Sequence, residues 1–413
     1  MSCVPIFVGQ CGNQVGSALF ELLDGSKEPI RLWESANGKR NAILVDSEPK
    51  VVRSLAVNKK RLHFQESNII STKQGCGSNW ALGYFGTNHQ QRNSLLEESL
   101  EVIRRQTEKC DAFSGFIMMH SLAGGTGSGV GSHLTEVLRD EYALAYTLSC
   151  VMAPFSTGDS PLQHYNMLLS TAWLQRYTDG IIFLKNDDIL QSFINKVQTA
   201  KTSQNSPSMK DMNKKIAESL ASIFLPIESL NPVKGVLTGQ EPWELLRSVT
   251  PMPDYKFISI NQTIKSKSGW ESIMKGLLQP MRKHSSSGER FHSISNLVIA
   301  RGDSSRTFPS CIAGIEKAIR SSCRCVSWNP YPVDYWQGTK HFHLKANEGS
   351  ICLCSNSSSV VEDLQNSLTK GKAMLKAGGY LHWYRRYGCT EDIFEDAFET
   401  IHSVIDNYRS AVT

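Results

Sequence analysis

The sequence predicts an α/β protein built on a parallel sheet, and three observations carry that expectation. Short β-branched or apolar runs alternate with segments of helical periodicity through the first third of the chain. Each run ends in a glycine-rich, acidic or polar loop. The chain has 413 residues, room for two to three domains at about 150 residues each and ample material for a buried core.

Taken in order, Val4 to Val8 reads as a buried strand, and Gly9-Gln10-Cys11-Gly12 as a tight loop. Val15, Ala18, Leu19 and Leu22 then fall at helical spacing. Ala42 to Val45 is a second strand, ending in Asp46-Ser47-Glu48-Pro49. The loop Gly75-Cys76-Gly77-Ser78-Asn79-Trp80 precedes a helix with Leu96, Leu100 and Ile103 on one face. Phe116 to Met119 runs into Ser121-Leu122-Ala123-Gly124-Gly125-Thr126-Gly127-Ser128-Gly129, followed by a helix through Leu134, Val137 and Leu138. Leu148 to Met152 and Gly180 to Leu184 are further strands, ending in the polar stretches Ser156 to Asp159 and Lys185 to Asp187. In open parallel sheets ligands bind beyond the carboxyl ends of the strands, so these loops should converge on one site.

Residues 200–211 are polar and read as a domain junction before a helix carrying Ile216, Leu220 and Ile223. A second region follows, with strands near Phe257 to Ile260, Asn296 to Ala300 and Ile351 to Cys354, and a helix with Ile312, Ile315 and Ile319 on one side. Leu277 to Gly288, which contains Arg282-Lys283-His284, is expected to be an exposed loop. Ile393, Phe394, Ala397, Phe398, Ile401, Val404, Ile405 and Tyr408 mark a long amphipathic helix near the end.

Composition narrows the function classes. Charged residues are 20% and the hydrophobic set 40%, which suits a compact fold. The net charge of +5 is too mild over this length to signal nucleic-acid binding. No apolar run approaches the roughly 18 residues of a membrane span, and Met1 to Gly12 lacks the marks of a signal peptide, so the cytoplasm is the expected compartment. The eleven cysteines read as reduced thiols rather than a disulfide framework. Cys323/Cys325 and Cys352/Cys354 are C-x-C pairs that a strand would place on one face, with no metal-site spacing.

The run Gly124 to Gly129 lies between a strand and a helix, where backbone N–H groups and a helix N-terminus can cradle phosphate oxygens. It comes too late in the chain for a dinucleotide fingerprint, and no P-loop motif is present. A metabolic dinucleotide enzyme is therefore not expected. Asp46 and Glu48 suit either a hydrated divalent cation or two solvated carboxylates. Asn186 and Asn213 could serve a guanine edge, which needs a donor and an acceptor together, or cap helices.

At Gly9-Gln10-Cys11-Gly12-Asn13-Gln14 and Ala123-Gly124-Gly125-Thr126-Gly127-Ser128-Gly129 the chain resembles the tubulins. Asp46 to Pro49, Gly77 to Trp80, Tyr165-Asn166, Asp211-Met212-Asn213, Pro251-Met252-Pro253 and Leu381 to Tyr384 follow in tubulin order, so the resemblance covers essentially the whole chain. Its short loops, Ala123, and Leu297 to Asp303 look most like the zeta group, with the delta group as the close alternative; both are linked to centrioles and basal bodies.

The resemblance implies a GTP-binding domain at 1–199, a core helix and intermediate domain at 200–358, and a C-terminal helical layer at 359–413. It implies GTP or GDP with Mg2+ as ligands. Gln10, Cys11 and Gln14 should lie along the nucleotide; Ser121, Gly124, Gly125, Thr126 and Gly127 should hold phosphates; Gly77, Ser78 and Asn79 should meet the terminal phosphate. Glu48 and Asp46 fall at magnesium, Asp159 and Gln163 at the ribose, and Asn186 and Asn213 on guanine. Gln163 stands where the family carries Glu, and Met209 where it carries a stacking Tyr. Lys50, where the family has Gly, either touches a phosphate or faces solvent.

Hydrolysis in the family is completed in trans by an acid of the neighbouring subunit. The matching position here is Glu244, with Glu241 as companion, in a loop that departs from the pattern at Gly239 and Pro242. Implied partners are other tubulins through longitudinal contacts, or centriolar and basal-body proteins in cilium and microtubule structures. The sequence ends at Thr413 without an acidic tail, so motor recruitment by such a tail is not expected. A non-polymerising docking module that keeps its nucleotide as a structural ligand is the competing reading.

Overall fold

The computed structural model describes residues 3–24, 41–58, 64–87, 94–158, 160–200, 207–225, 227–229, 242–266, 268–302, 305–338, 344 and 348–411. The chain divides into two compact units. One comprises Met1–Asp24, Arg31–Glu218 and Asn366–His402; the other comprises Gly25–Ile30, Ser219–Gln365 and Ser403–Thr413. The segment expected as a single C-terminal layer is thus shared between them.

The first unit holds a wholly parallel sheet of β1 (Cys3–Val8), β2 (Ile43–Asp46), β3 (Ile69–Ser71), β4 (Gly115–Ser121), β5 (Tyr146–Ala153) and β6 (Gly180–Lys185), in the order β3-β2-β1-β4-β5-β6. Its strands are continuous apolar runs because helices cover both faces. β1 pairs with β2 through Ile6 and Ile43 and with β4 through Ile6 and Met118. The winding therefore reverses at β1, and the loops leaving β1 and β4 open a crevice between them.

The helices of this unit are α1 (Gly9–Asp24), α2 (Pro49–Asn58), α3 (Trp80–Phe85), α4 (Ser94–Thr107), α5 (Gly131–Glu141), α6 (Gln163–Tyr177), α7 (Asn186–Ala200) and the first turns of α8 (Met209–Phe224). On one side of the sheet Val4, Ile6, Val45, Phe116 and Met118 pack with Leu96, Ile103, Leu134 and Leu138. Sequence periodicity placed α1, α4, α5 and α8 correctly but missed α6. Eleven consecutive-turn residues of α6, from Gln163 to Leu174, are buried, so it has no polar face to create a period.

Two local expectations change. Gly9 to Gly12 is the opening of α1 rather than a separate loop, and Gly9 takes φ +74°, which only glycine adopts without strain. Lys185-Asn186-Asp187 is likewise the strand-to-helix junction, with α7 starting at Asn186.

The second unit is built on β7 (Glu228–Ser229), β8 (Phe257–Ser266), β9 (Ser293–Gly302), β10 (Val333–Gly338) and β11 (Glu348–Ser357), in the order β8-β11-β9-β10-β7. Only β9 and β10 are parallel. α9 (Pro242–Val249), α10 (Trp270–Leu278) and α11 (Ile312–Cys323) belong to it. Trp270, Met274, Ile315 and Ile319 meet Val298, Ala300, Ile351 and Leu353 in its core. α10 carries buried Leu277 and Leu278, so the exposed loop begins after them. Arg301 is buried, and its guanidinium donates to the carbonyls of Ser222 (3.0 Å) and Leu225 (2.6 Å), satisfying the last carbonyls of α8.

Cys352 and Cys354 lie on β11 as buried free thiols, whereas Cys323 ends α11 and Cys325 follows its left-handed cap Arg324. The strand reading of the C-x-C spacing holds for the second pair alone. α12 (Val360–Lys376), α13 (Leu381–Arg385) and α14 (Glu391–Ser410) close the chain. Phe394, Ala397, Phe398, Ile401, Val404, Ile405 and Tyr408 of α14 are all buried, as their spacing requires.

Candidate functional site

A cavity of about 270 Å³ opens at the carboxyl ends of β1, β2 and β4 in the first unit. Three of its walls come from different strand-to-helix junctions. Val8, Gly9, Gln10, Cys11 and Gln14 leave β1; Asp46, Glu48 and Val51 leave β2; Ser121 and Gly124 to Gly127 leave β4. Cys76, Gly77 and Ser78 form a fourth side, and Met209 and Asn213 of α8 a fifth.

The glycine-rich segment after β4 winds into one wide π-type turn, Thr126–Val130, that leads directly into α5. Backbone N–H groups at this helix start and at the start of α1 have no intrahelical carbonyl to meet, which makes the crevice favourable for anions. The glycines differ in purpose. A Cβ on Gly125 would sit 2.6 Å from the Cys76 carbonyl and 2.7 Å from the Asn79 amide, so Gly125 is needed for backbone packing. A Cβ on Gly124 would meet nothing within 4 Å. Of the two, Gly124 faces open space.

The loops are fixed from behind by Asn166 of α6, a fully buried residue. Its amide donates to the carbonyls of Ser78 and Ala123, both at 2.7 Å, and its Oδ1 accepts the Trp80 amide (2.9 Å) and the Tyr384 hydroxyl (2.6 Å). All four hydrogen-bonding capacities of the side chain are used. Sequence reading saw Asn166 only as part of a resemblance. Its scaffolding role has no local signal, because the partners lie 43 to 218 residues away.

Asp46 carries the unusual electrostatics. It is buried, burial pushes its carboxyl up to about 6, and its Oδ2 has no hydrogen-bond partner among the described residues. A desolvated carboxylate with a spare oxygen, next to Glu48 on the same wall, suits a divalent cation. No group of three or more His, Cys, Asp or Glu side chains forms a metal cluster among the described residues. A cation here would take its remaining ligands from water and a phosphate, which is magnesium's habit. Cys11 is pushed up to about 12 by burial, and Cys76 is also raised, so both wall thiols are neutral at pH 7 and are not nucleophiles.

Asn213, 7% exposed, donates to Gln14 Oε1 at 3.3 Å, which places an amide pair at the α8 end of the cavity. Met209 lines the same end and is 53% exposed.

The cavity thus collects Gln10, Cys11, Gln14, Asp46, Glu48, Gly77, Ser78, Ser121, Gly124, Gly125, Thr126, Gly127 and Asn213. It does not collect the others. Asn79 caps α3, its Oδ1 accepting the amides of Ala81 and Leu82, while its Nδ2 donates to the Trp383 carbonyl at 3.1 Å. Asn186 begins α7 and is not among the wall residues. Gln163 is buried and donates to the Phe155 carbonyl at 3.2 Å. Asp159 and Glu241 lie outside the described residues. Lys50 is exposed on α2 and is not a wall residue. Glu244, expected in a loop, lies in the first turn of α9 and is only 4% exposed. Val8, Gly9, Val51 and Cys76 join the wall unanticipated; Gly9 and Cys76 sat inside motifs already quoted, and Val8 and Val51 carried no signal.

Comparison with known proteins agrees with this geometry. Residues 2–193 match the Tubulin/FtsZ family, GTPase domain. The Tubulin delta chains of Macaca fascicularis and Homo sapiens are each 29% identical to this chain over 99% of its length and 99% of theirs. The Tubulin beta-2 chain of Emericella nidulans is 26% identical over 98% of this chain and 93% of its own. The first unit is thus similar to the GTPase domain of that family, and the α/β fold is consistent with a tubulin-like one.

Proposed function

We propose that this chain, with its Tubulin/FtsZ-type domain, is a guanine-nucleotide-binding tubulin that serves microtubule-based structures of the centriole and basal-body group. The observation that carries the reading is the convergence on one cavity of an open Gly124, an unpartnered carboxylate oxygen on Asp46 and the Gln14–Asn213 amide pair. These match the three chemical parts of a Mg2+-bound guanine nucleotide: phosphate, cation and base.

In this reading Ser121 and the Gly124–Gly127 backbone receive the phosphates, with Gly77 and Ser78 at the outer end. Asp46 and Glu48 hold magnesium through its water shell, and the bound ion neutralises phosphate charge. Among the described residues no lysine or arginine lines the cavity, and in this reading cation and backbone share that work. Gln10, Cys11 and Gln14 run along the nucleotide and Asn213 reads guanine, with Met209 packing on the base in place of an aromatic ring. Asp159 remains the proposed ribose contact.

Ala123 and the Leu297 to Asp303 segment favour the zeta group, and full-length likeness to delta chains keeps the delta group as the alternative. Other tubulins are the proposed partners, with centriolar proteins as the competing class. One observation favours the docking reading, in which the nucleotide is structural: Glu244 is only 4% exposed, whereas a carboxylate acting on a neighbour's phosphate would have to be presented outward. Equilibrium binding of GTP, GDP and ATP to the purified chain, with and without Mg2+, tests the central reading. Guanine-selective binding strengthened by Mg2+ supports it, and equal or absent binding of all three removes it.

A further inference from the structure

Ser47 sits between the two carboxylates of the loop after β2, but it is not a wall residue of the cavity. It is 2% exposed, and its Oγ lies 2.5 Å from Thr126 Oγ1, the first residue of the turn after β4. The peptide around it is held as well: the Thr72 hydroxyl donates to the Ser47 carbonyl at 3.1 Å, and the Thr72 amide to the Asp46 carbonyl at 3.3 Å.

A threonine hydroxyl has one proton to give and two lone pairs to receive with. When Ser47 donates to Thr126, the Thr126 proton is released to point into the cavity, toward an anionic oxygen. We infer that Ser47 is a positioning residue, which aims the Thr126 hydroxyl at a phosphate group and latches the carboxylate loop after β2 to the glycine-rich turn after β4. Ser47 itself touches no ligand. The inference rests on the nucleotide reading above, and it deepens it by predicting that the latch senses phosphate and not the nucleoside.

The test measures the affinity of the full chain for GDP and for guanosine, with Mg2+ present, in the wild type, Ser47→Ala, Ser47→Thr and Thr126→Val. Ser47→Ala should weaken GDP about tenfold, the worth of one oriented hydrogen bond to a charged group. Guanosine affinity should stay within about twofold, because the base and ribose do not meet Thr126. Ser47→Thr restores the hydroxyl and should recover most of the loss. Thr126→Val should match Ser47→Ala, and combining the two should add nothing, the mark of residues acting through one group. If Ser47→Ala fails to fold, Thr126→Val and the Ser47→Thr comparison carry the same test. Equal losses for GDP and guanosine, an unchanged GDP affinity, or a Ser47→Thr protein as weak as Ser47→Ala would overturn the inference. A wild-type chain that binds no GDP would overturn the nucleotide reading itself, and the two failures are thereby distinguished.

Discussion

Gly124→Asp isolates phosphate binding from folding. A Cβ at this position meets nothing within 4 Å and Gly124 has no positive φ, so the backbone accepts the substitution without strain. The new carboxylate would stand on a one-carbon stem at the cavity wall. At about 5 Å from a phosphate charge and an effective dielectric of about 20, each pair of like charges repels by about 3 kcal/mol. That is on the order of a hundredfold in dissociation constant, before any repulsion from the remaining phosphate charges. The assay is equilibrium binding of GDP with Mg2+, paired with a thermal unfolding curve for the ligand-free protein. The unfolding midpoint should barely move, and GDP binding should be lost. Gly125→Asp is the contrast: its Cβ would overlap the Cys76 carbonyl at 2.6 Å, so it should lower the unfolding midpoint of the ligand-free chain. A folded Gly124→Asp protein with unchanged GDP affinity would refute the phosphate assignment.

Asp46→Asn should stabilise the ligand-free chain by up to about 3 kcal/mol, roughly two pKa units of desolvation, while reducing the gain in GDP affinity that Mg2+ gives. The pH dependence follows from the same group. Its folded value of about 6 lies above the 3.8 of a free aspartate carboxyl, so between these pH values the folded state holds more protons. The ligand-free protein should then lose stability as pH rises through that window, a slope absent from Asp46→Asn, whereas Mg2+-dependent binding should weaken as pH falls below 6. Parallel unfolding curves for both proteins from pH 4 to 7, about a unit beyond the raised value, would refute the assignment. Asn166→Ala should cost about 3 kcal/mol by orphaning buried partners in two loops, read as a lower denaturation midpoint and weaker GDP binding. Met209→Tyr should tighten guanine-nucleotide binding by about 1 kcal/mol through stacking, and an unchanged affinity would remove Met209 from the base side.

What was legible in the sequence follows from how each feature is encoded. Every strand of the first sheet but the three-residue β3 shows as an apolar run, and helices α4, α5, α8 and α14 show because one face of each is buried, which imposes a period. α6 does not, since burial on every side erases the contrast that marks a helix. The cavity wall was readable where motifs sit at strand ends, as at Gln10, Asp46 and Thr126. Asn79 serves as a helix cap, and the sequence could not separate that role from a phosphate ligand because both use the same short polar side chain at the same kind of junction. Glu244 lies in a helix and is buried, and an acid in a departing loop pattern gives no hint of either. The division of labour between Gly124 and Gly125 is also invisible in a run of glycines. It depends on the Cys76 to Asn79 loop lying against only one of them.

The most direct measurement is the nucleotide content of the chain purified from cells: denature it, separate the released small molecules by chromatography and compare the amount with the protein. The account predicts GDP or GTP in the wild type and none in folded Gly124→Asp. An empty wild-type protein that is fully folded, or one that releases an adenine nucleotide, would contradict it.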